Sequence, residues 1–107
     1  MKDVKIYYEV VVGEQLTTVC GECIRLPYTN ASFGIHARHS ALGEFQGWTV
    51  THLLSGACFG EGGTKTAAFR NAVEHVRKYG SEMPSVLARA IEFRAQLESA
   101  LVAAQGG

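Results

Sequence analysis

The sequence predicts an α+β fold: an antiparallel sheet of about four to five strands in the N-terminal half, followed by two C-terminal amphipathic helices packed on it. Three observations carry this. β-branched and aromatic residues gather in short runs through the first half, as strands require. Apolar residues recur every three or four positions in the second half, as helices require. Glycine, proline and Ser-Gly steps punctuate the runs where turns belong. The length of 107 residues fits one domain spanning 1–107, large enough to bury a core without disulfides.

The first strand is expected over Lys2–Val12, through Val4, Ile6, Tyr7, Tyr8, Val10, Val11 and Val12. Gly13-Glu14 makes a tight turn. Gln15 to Leu26 reads as a second strand, interrupted by Gly21 in a manner that fits a bulge, and Pro27 ends it. Phe33 to His39 gives a short strand, and Ser40 to Gly47 a loop. Trp48 to Leu54 is the clearest strand: Trp48, Val50, His52 and Leu54 take one face, Thr49, Thr51 and Leu53 the other. Ser55-Gly56 is expected as a hairpin turn returning through Ala57-Cys58-Phe59, and Gly60 to Gly63 as a flexible hinge.

Thr64 is a good N-cap for a helix running to Tyr79, with Gly80 beyond its end. Its expected apolar stripe is Phe69, Ala72, Val73 and Val76, with Glu74 and Lys78 paired on the outer face. Ser81 or Ser85 opens the last helix, whose stripe is Val86, Ala90, Phe93, Leu97, Leu101 and Ala104, widened by Leu87 and Ile91. The width of that stripe and its alanines fit a homodimer through the last helix. Gln105 to Gly107 is a frayed tail.

Composition narrows the function. Ten Lys and Arg balance ten Asp and Glu, so nucleic-acid binding would need a local basic patch. No run approaches the ~18 apolar residues of a membrane span, so no membrane partner is expected. Three cysteines, an odd number, fit reduced thiols and a cytoplasmic location. A single aspartate, Asp3, weakens carboxylate-dyad and magnesium chemistry.

Four groups of residues offer candidate chemistry. Cys20-x2-Cys23-x12-His36-x2-His39 offers thiolates and imidazoles in the style of a structural zinc site. It resembles a zinc finger in ligand count and partial spacing, and its metal candidates are Cys20, Cys23, His36 and His39. Pro27 and Gly34 break any recognition helix between the pairs. Cys58 with His52 would make a nucleophile and base, but the hairpin register puts them on opposite faces. Gly63-Thr64-Lys65-Thr66 lacks the glycine a phosphate loop needs before its lysine. Lys65, Arg70 and Arg77 are the candidates for nucleic-acid or anion binding, and Arg25 and Arg38 could add to their patch.

Gly62-Gly63-Thr64-Lys65-Thr66-x-Ala68 with Ala72-Val73 resembles the start of the second helix of double-stranded-RNA-binding domains. That resemblance implies phosphate contacts from Lys65, although Thr66 and Phe69 stand where further lysines belong. The segment Gly47-Trp48-Thr49-Val50-Thr51-His52-Leu53-Leu54-Ser55-Gly56, followed by Thr64-Lys65 and an alanine-rich helix, resembles small uncharacterised proteins of phages and other mobile elements. It implies an accessory role. The leading expectation is therefore a non-enzymatic binding protein with a protein partner, of the kind that inhibits a host defence complex as anti-CRISPR proteins do. A zinc-assisted nucleic-acid-binding module and a Cys/His enzyme are the alternatives.

Overall fold

The computed structural model describes residues 5–105. Lys2 to Val4 of the expected first strand, Asp3 among them, and Gly106-Gly107 of the expected tail lie outside the described residues. Five strands come first: β1 (Lys5–Val12), β2 (Gln15–Arg25), β3 (Ser32–His39), β4 (Phe45–His52) and β5 (Cys58–Gly62). They form one antiparallel sheet in the order β1-β2-β3-β4-β5. Helix α1 (Lys65–Tyr79), a 3-10 turn (Gly80–Glu82) and helix α2 (Met83–Gln105) follow.

The α+β class holds, with two corrections to its layout. The sheet runs on to Gly62, past the middle of the chain. The helical part is one joined run, not two separate helices. Gly80 takes a positive φ of 53° and donates its N–H to the Arg77 carbonyl, which turns the axis. Tyr79 and Met83 on either side keep helical angles, so the chain continues without a linker. Pro84 is tolerated because it lies in the first turn of α2, where a missing N–H costs little.

The expected Gly13-Glu14 turn is present: Val12 pairs with Gln15, and Gly13 takes φ 62°. Gly21 is not a bulge, since Ile6 pairs with it in unbroken register. Register shifts fall instead at Arg38/His39 and Val50/Thr51. Gly21 is where β2 changes partner, from β1 over Gln15–Glu22 to β3 over Glu22–Arg25. A Cβ there would meet the Ile35 carbonyl at 2.4 Å and the Tyr8 hydroxyl at 2.6 Å. The glycine is a corner that lets two layers approach.

β4 starts earlier than expected, at Phe45, because Ser40 closes a short turn. Its hydroxyl accepts from Leu42 N–H and Glu44 N–H, and its own N–H donates to the Glu44 carbonyl. The return after β4 needs a longer loop than Ser55-Gly56. His52 N–H donates to the Ala57 carbonyl, and β5 begins at Cys58, paired with Thr51.

The expected Gly60–Gly63 hinge is strand as far as Gly62, for a packing reason. A Cβ at Gly60 would lie 2.6 Å from Ala72 N, and one at Gly62 2.6 Å from Ala68 N. The helix backbone therefore rests directly on β5. His75 Nδ1 donates to the Phe59 carbonyl at 2.9 Å and Asn71 to the Glu61 carbonyl at 2.7 Å, fastening the contact. This shifts the buried stripe of α1 to Ala68, Ala72 and Val76, leaving Phe69 at the edge. Thr64 caps the helix as expected, accepting from Ala67 N–H at 3.0 Å. Glu74 pairs with Arg77 rather than Lys78.

The core lies between α1 and one face of the sheet: Leu26, Phe33, Ile35, Val50, Phe59, Ala68, Ala72, Val76 and Met83. α2 shares little of it. Only Met83 and Leu97 of that helix are buried, and Phe93 and Ile91 of the expected stripe are exposed. Arg94 takes their place towards the body, pairing with Glu9 and reaching Glu98 and the Leu54 carbonyl.

Candidate ligand-binding cleft

The face of the sheet turned away from α1 has its own interior. Alternation along β3 and β4 puts Gly34, His36 and Arg38, and Thr49 and Thr51, on this side. Cross-strand pairing aligns them in rows: His36 with Thr49 and Glu61, Gly34 with Thr51 and Cys58. Among the described residues no helix covers these rows. The β1–β2 hairpin does, because β2 turns at Gly21 and carries β1 over them. Tyr8 marks the fold-over: a Cβ at Gly34 would lie 2.6 Å from its ring, and its hydroxyl is hydrogen-bonded to His36 Nδ1 at 3.3 Å. At the far end, Val11 N–H donates to the Gly56 carbonyl at 2.9 Å, tying β1 to the β4–β5 loop.

Between hairpin and sheet lies a cleft of about 450 Å³, within the range of small-molecule sites. Val10, Val12, Thr17 and Val19 form one wall; His36, Arg38, Thr49, Thr51, Cys58 and Glu61 form the other. One side is thus mainly hydrocarbon and the other is polar.

The polar wall is incompletely bonded. Thr49 is 5% exposed and Thr51 1%, yet neither hydroxyl has a hydrogen-bond partner. Arg38 Nε is likewise buried without an acceptor, while its Nη1 sits 3.4 Å from Glu61 at the rim. Orphaned polar atoms of this kind cost ~1–3 kcal/mol each, so three lining one cleft are a signature. The ionisable groups beside them are held uncharged. Burial, helped by the Arg38 guanidinium, holds the His36 imidazole below its ordinary value. Partial desolvation, with a smaller push from Glu61, raises the Cys58 thiol, whose side chain still reaches the surface. Burial also raises the Tyr8 phenol. A protonated thiol is a weak nucleophile, and Cys58 lies on the opposite face from His52, although it pairs with Thr51 and not, as a two-residue turn would require, with Leu53. His52 is a structural residue: its Nδ1 is bonded to Ser55 Oγ at 2.7 Å and its ring packs on Phe33 and Phe59.

Cys20, Cys23, His36 and His39 are not brought together. Cys20 pairs with Tyr7 and Cys23 with Gly34, three positions apart on a strand and so on opposite faces. His36 lies in the cleft wall, and His39, past the register shift, packs on Phe45. Among the described residues no cluster of three or more His, Cys, Asp or Glu side chains could hold a metal ion.

The expected cations are also dispersed in role. Lys65 pairs with Glu22 and lies 5.5 Å from the Trp48 ring centroid. Arg77 is bidentate to Glu74, and Arg25 donates to the Asn30 carbonyl. Arg70 is exposed on α1. No helix among the described residues is long and apolar enough to cross a membrane.

The sequence puts Thr49 and Thr51 on the strand face opposite Trp48, Val50 and His52, and Val10 and Val19 in strands, without marking a second covered face. The available signal was the pair of glycines, Gly21 and Gly34, next to chemistry-bearing strand positions, since a glycine inside a strand marks close approach. No protein-family model, curated protein or solved structure matches this chain.

Proposed function

We propose that this is a non-enzymatic binding protein whose ligand site is the cleft between the β1–β2 hairpin and the β3–β5 face. The observation that carries this reading is the pair of buried, unpartnered threonine hydroxyls lining a cleft of ligand size. Proteins rarely keep such groups unsatisfied without a reason, and a ligand that supplies acceptors or donors there recovers their cost. Amide NMR titration against a mixed fragment library tests it. Hits should perturb Val10, Val19, Thr49 and Thr51 together, and a Val19→Phe variant that narrows the cleft should lose them while its spectrum stays dispersed. A library that yields no perturbation centred on these residues sinks the reading.

A second reading keeps the protein partner expected from the sequence, including the mobile-element role of inhibiting a host defence complex. It is favoured by the outer edge of the β3–β4 hairpin, where Phe45 is 53% exposed and Leu42 87%. Rings of His39, Phe45 and Trp48 form a chain there, at centroid spacings of 5.9 and 6.3 Å. Exposed aromatics are the residues that anchor protein interfaces. Phe45→Asp should abolish retention of a host protein that the native chain recovers. Equal retention by the variant would remove this edge from consideration.

A further inference from the structure

The cleft also indicates the kind of molecule it takes, an inference that rests on the cleft being the binding site. We infer that its ligand is a small uncharged molecule with an apolar body and a hydrogen-bond acceptor, such as an amide or ketone carbonyl, rather than an anion or a cation.

Charge is the first argument. Among the described lining residues the guanidinium and the carboxylate face one another: Arg38 Nη1 and Glu61 Oε2, 3.4 Å apart. Of the other titratable lining groups, His36 and Cys58 sit in surroundings that favour their neutral forms, and His39 packs on Phe45. The cleft is therefore electrically balanced before anything enters. A carboxylate would bring a second negative charge beside Glu61, and an ammonium a second positive one beside Arg38. Desolvating an unpaired charge against the buried Thr49 and Thr51 part of the wall is costly. A neutral ligand avoids that cost.

Hydrogen bonding is the second argument. Arg38 Nε can only donate, and the hydroxyls of Thr49 and Thr51 can donate or accept. His36, held at Nδ1 by the Tyr8 hydroxyl, adds a second ring nitrogen that can donate or accept. Thr49 and Thr51, two apart on β4, stand on the same face about 7 Å from one another. Arg38 Nε is thus an obligate donor, the threonine hydroxyls can each donate, and the side-chain acceptors of the wall include Glu61, which is engaged with Arg38, and the Gln46 amide. A carbonyl oxygen is the complementary group. Val10 and Val19 opposite supply the surface for hydrocarbon.

Three probes of equal chain length separate the cases: hexanamide, hexanoate and hexylammonium, each titrated into the full chain and followed by amide NMR. Hexanamide should bind in the cleft at least about fivefold more tightly than either ion. The double variant Thr49→Val with Thr51→Val, which keeps side-chain shape, should weaken hexanamide about five- to tenfold. Tighter binding of hexanoate or hexylammonium in the cleft overturns the uncharged class while leaving the cleft as the binding site. Equal hexanamide affinity in the valine variant overturns the assigned hydrogen bonds. Failure of all three probes overturns this ligand class, and the fragment titration decides separately whether the cleft binds anything.

Discussion

Thr51 carries a cost to the free fold that the proposed ligand would offset. Its hydroxyl is buried in the cleft wall with no hydrogen-bond partner. Removing a partnerless buried hydroxyl while keeping shape relieves its desolvation cost, which is ~1–3 kcal/mol. Thr51→Val should therefore raise stability by about 1 kcal/mol, read from urea unfolding, and Thr49→Val should do the same. A loss of stability in both would mean that the hydroxyls find partners in solution, and the argument for the cleft would weaken. The same residue shows the limit of reading a site from sequence. Alternation alone placed Thr49 and Thr51 correctly on the face opposite Trp48, Val50 and His52. It could not show that this second face is also covered, because the cover is a distant hairpin brought over by the corner at Gly21. Conversely, the Cys20 to His39 spacing drew attention for its ligand types, and strand alternation at Cys20 and Cys23 separates them.

Among the elements, the contact of α1 with β5 is the most demanding. Gly60 and Gly62 have no side chains because the backbone of α1 occupies that space, at Ala72 and Ala68. A methyl group at either position must push the helix away. Gly60→Ala or Gly62→Ala should destabilise the protein by ~1–3 kcal/mol as overpacking, with Gly63→Ala, which meets nothing within 4 Å, as the control. Thermal unfolding of the three variants checks this; equal midpoints would refute the close approach. Much of this level was legible in advance. The Thr64 cap, the Gly80 terminus and the Gly13-Glu14 turn follow from local chemistry and appear as expected. The misread parts depended on tertiary context. Gly60-Glu61-Gly62 has the composition of a hinge, and only a helix lying against it makes it a strand. In α2, periodicity favoured Phe93 and Ile91, whereas Arg94 faces the body because Glu9 on β1 receives its charge.

For the whole molecule, the two faces of the sheet are built from different chemistry, and this sets its response to pH. On the α1 side, His52 is buried among rings, and burial holds it below its ordinary value. On the cleft side, burial with Arg38 does the same to His36. A histidine whose folded pKa is depressed binds fewer protons folded than unfolded, so folding loses stability as pH falls below the ordinary histidine value of about 6.5. Tyr8 and Cys58 are shifted the other way, upwards by burial. They hold protons in the folded state that the unfolded chain releases, so stability falls as pH rises past the ordinary thiol value of about 8.5 and then the phenol value of about 10. The expected profile of melting temperature against pH is a plateau between these limits with a fall on each side. The limbs are separable by substitution. His36→Gln with His52→Gln should flatten the acid limb whatever it does to the plateau, and Tyr8→Phe should flatten the alkaline limb above pH ~10. An acid limb of unchanged slope in the double histidine variant would assign acid sensitivity to other groups. The cleft and the core would then no longer share the loss of stability at low pH.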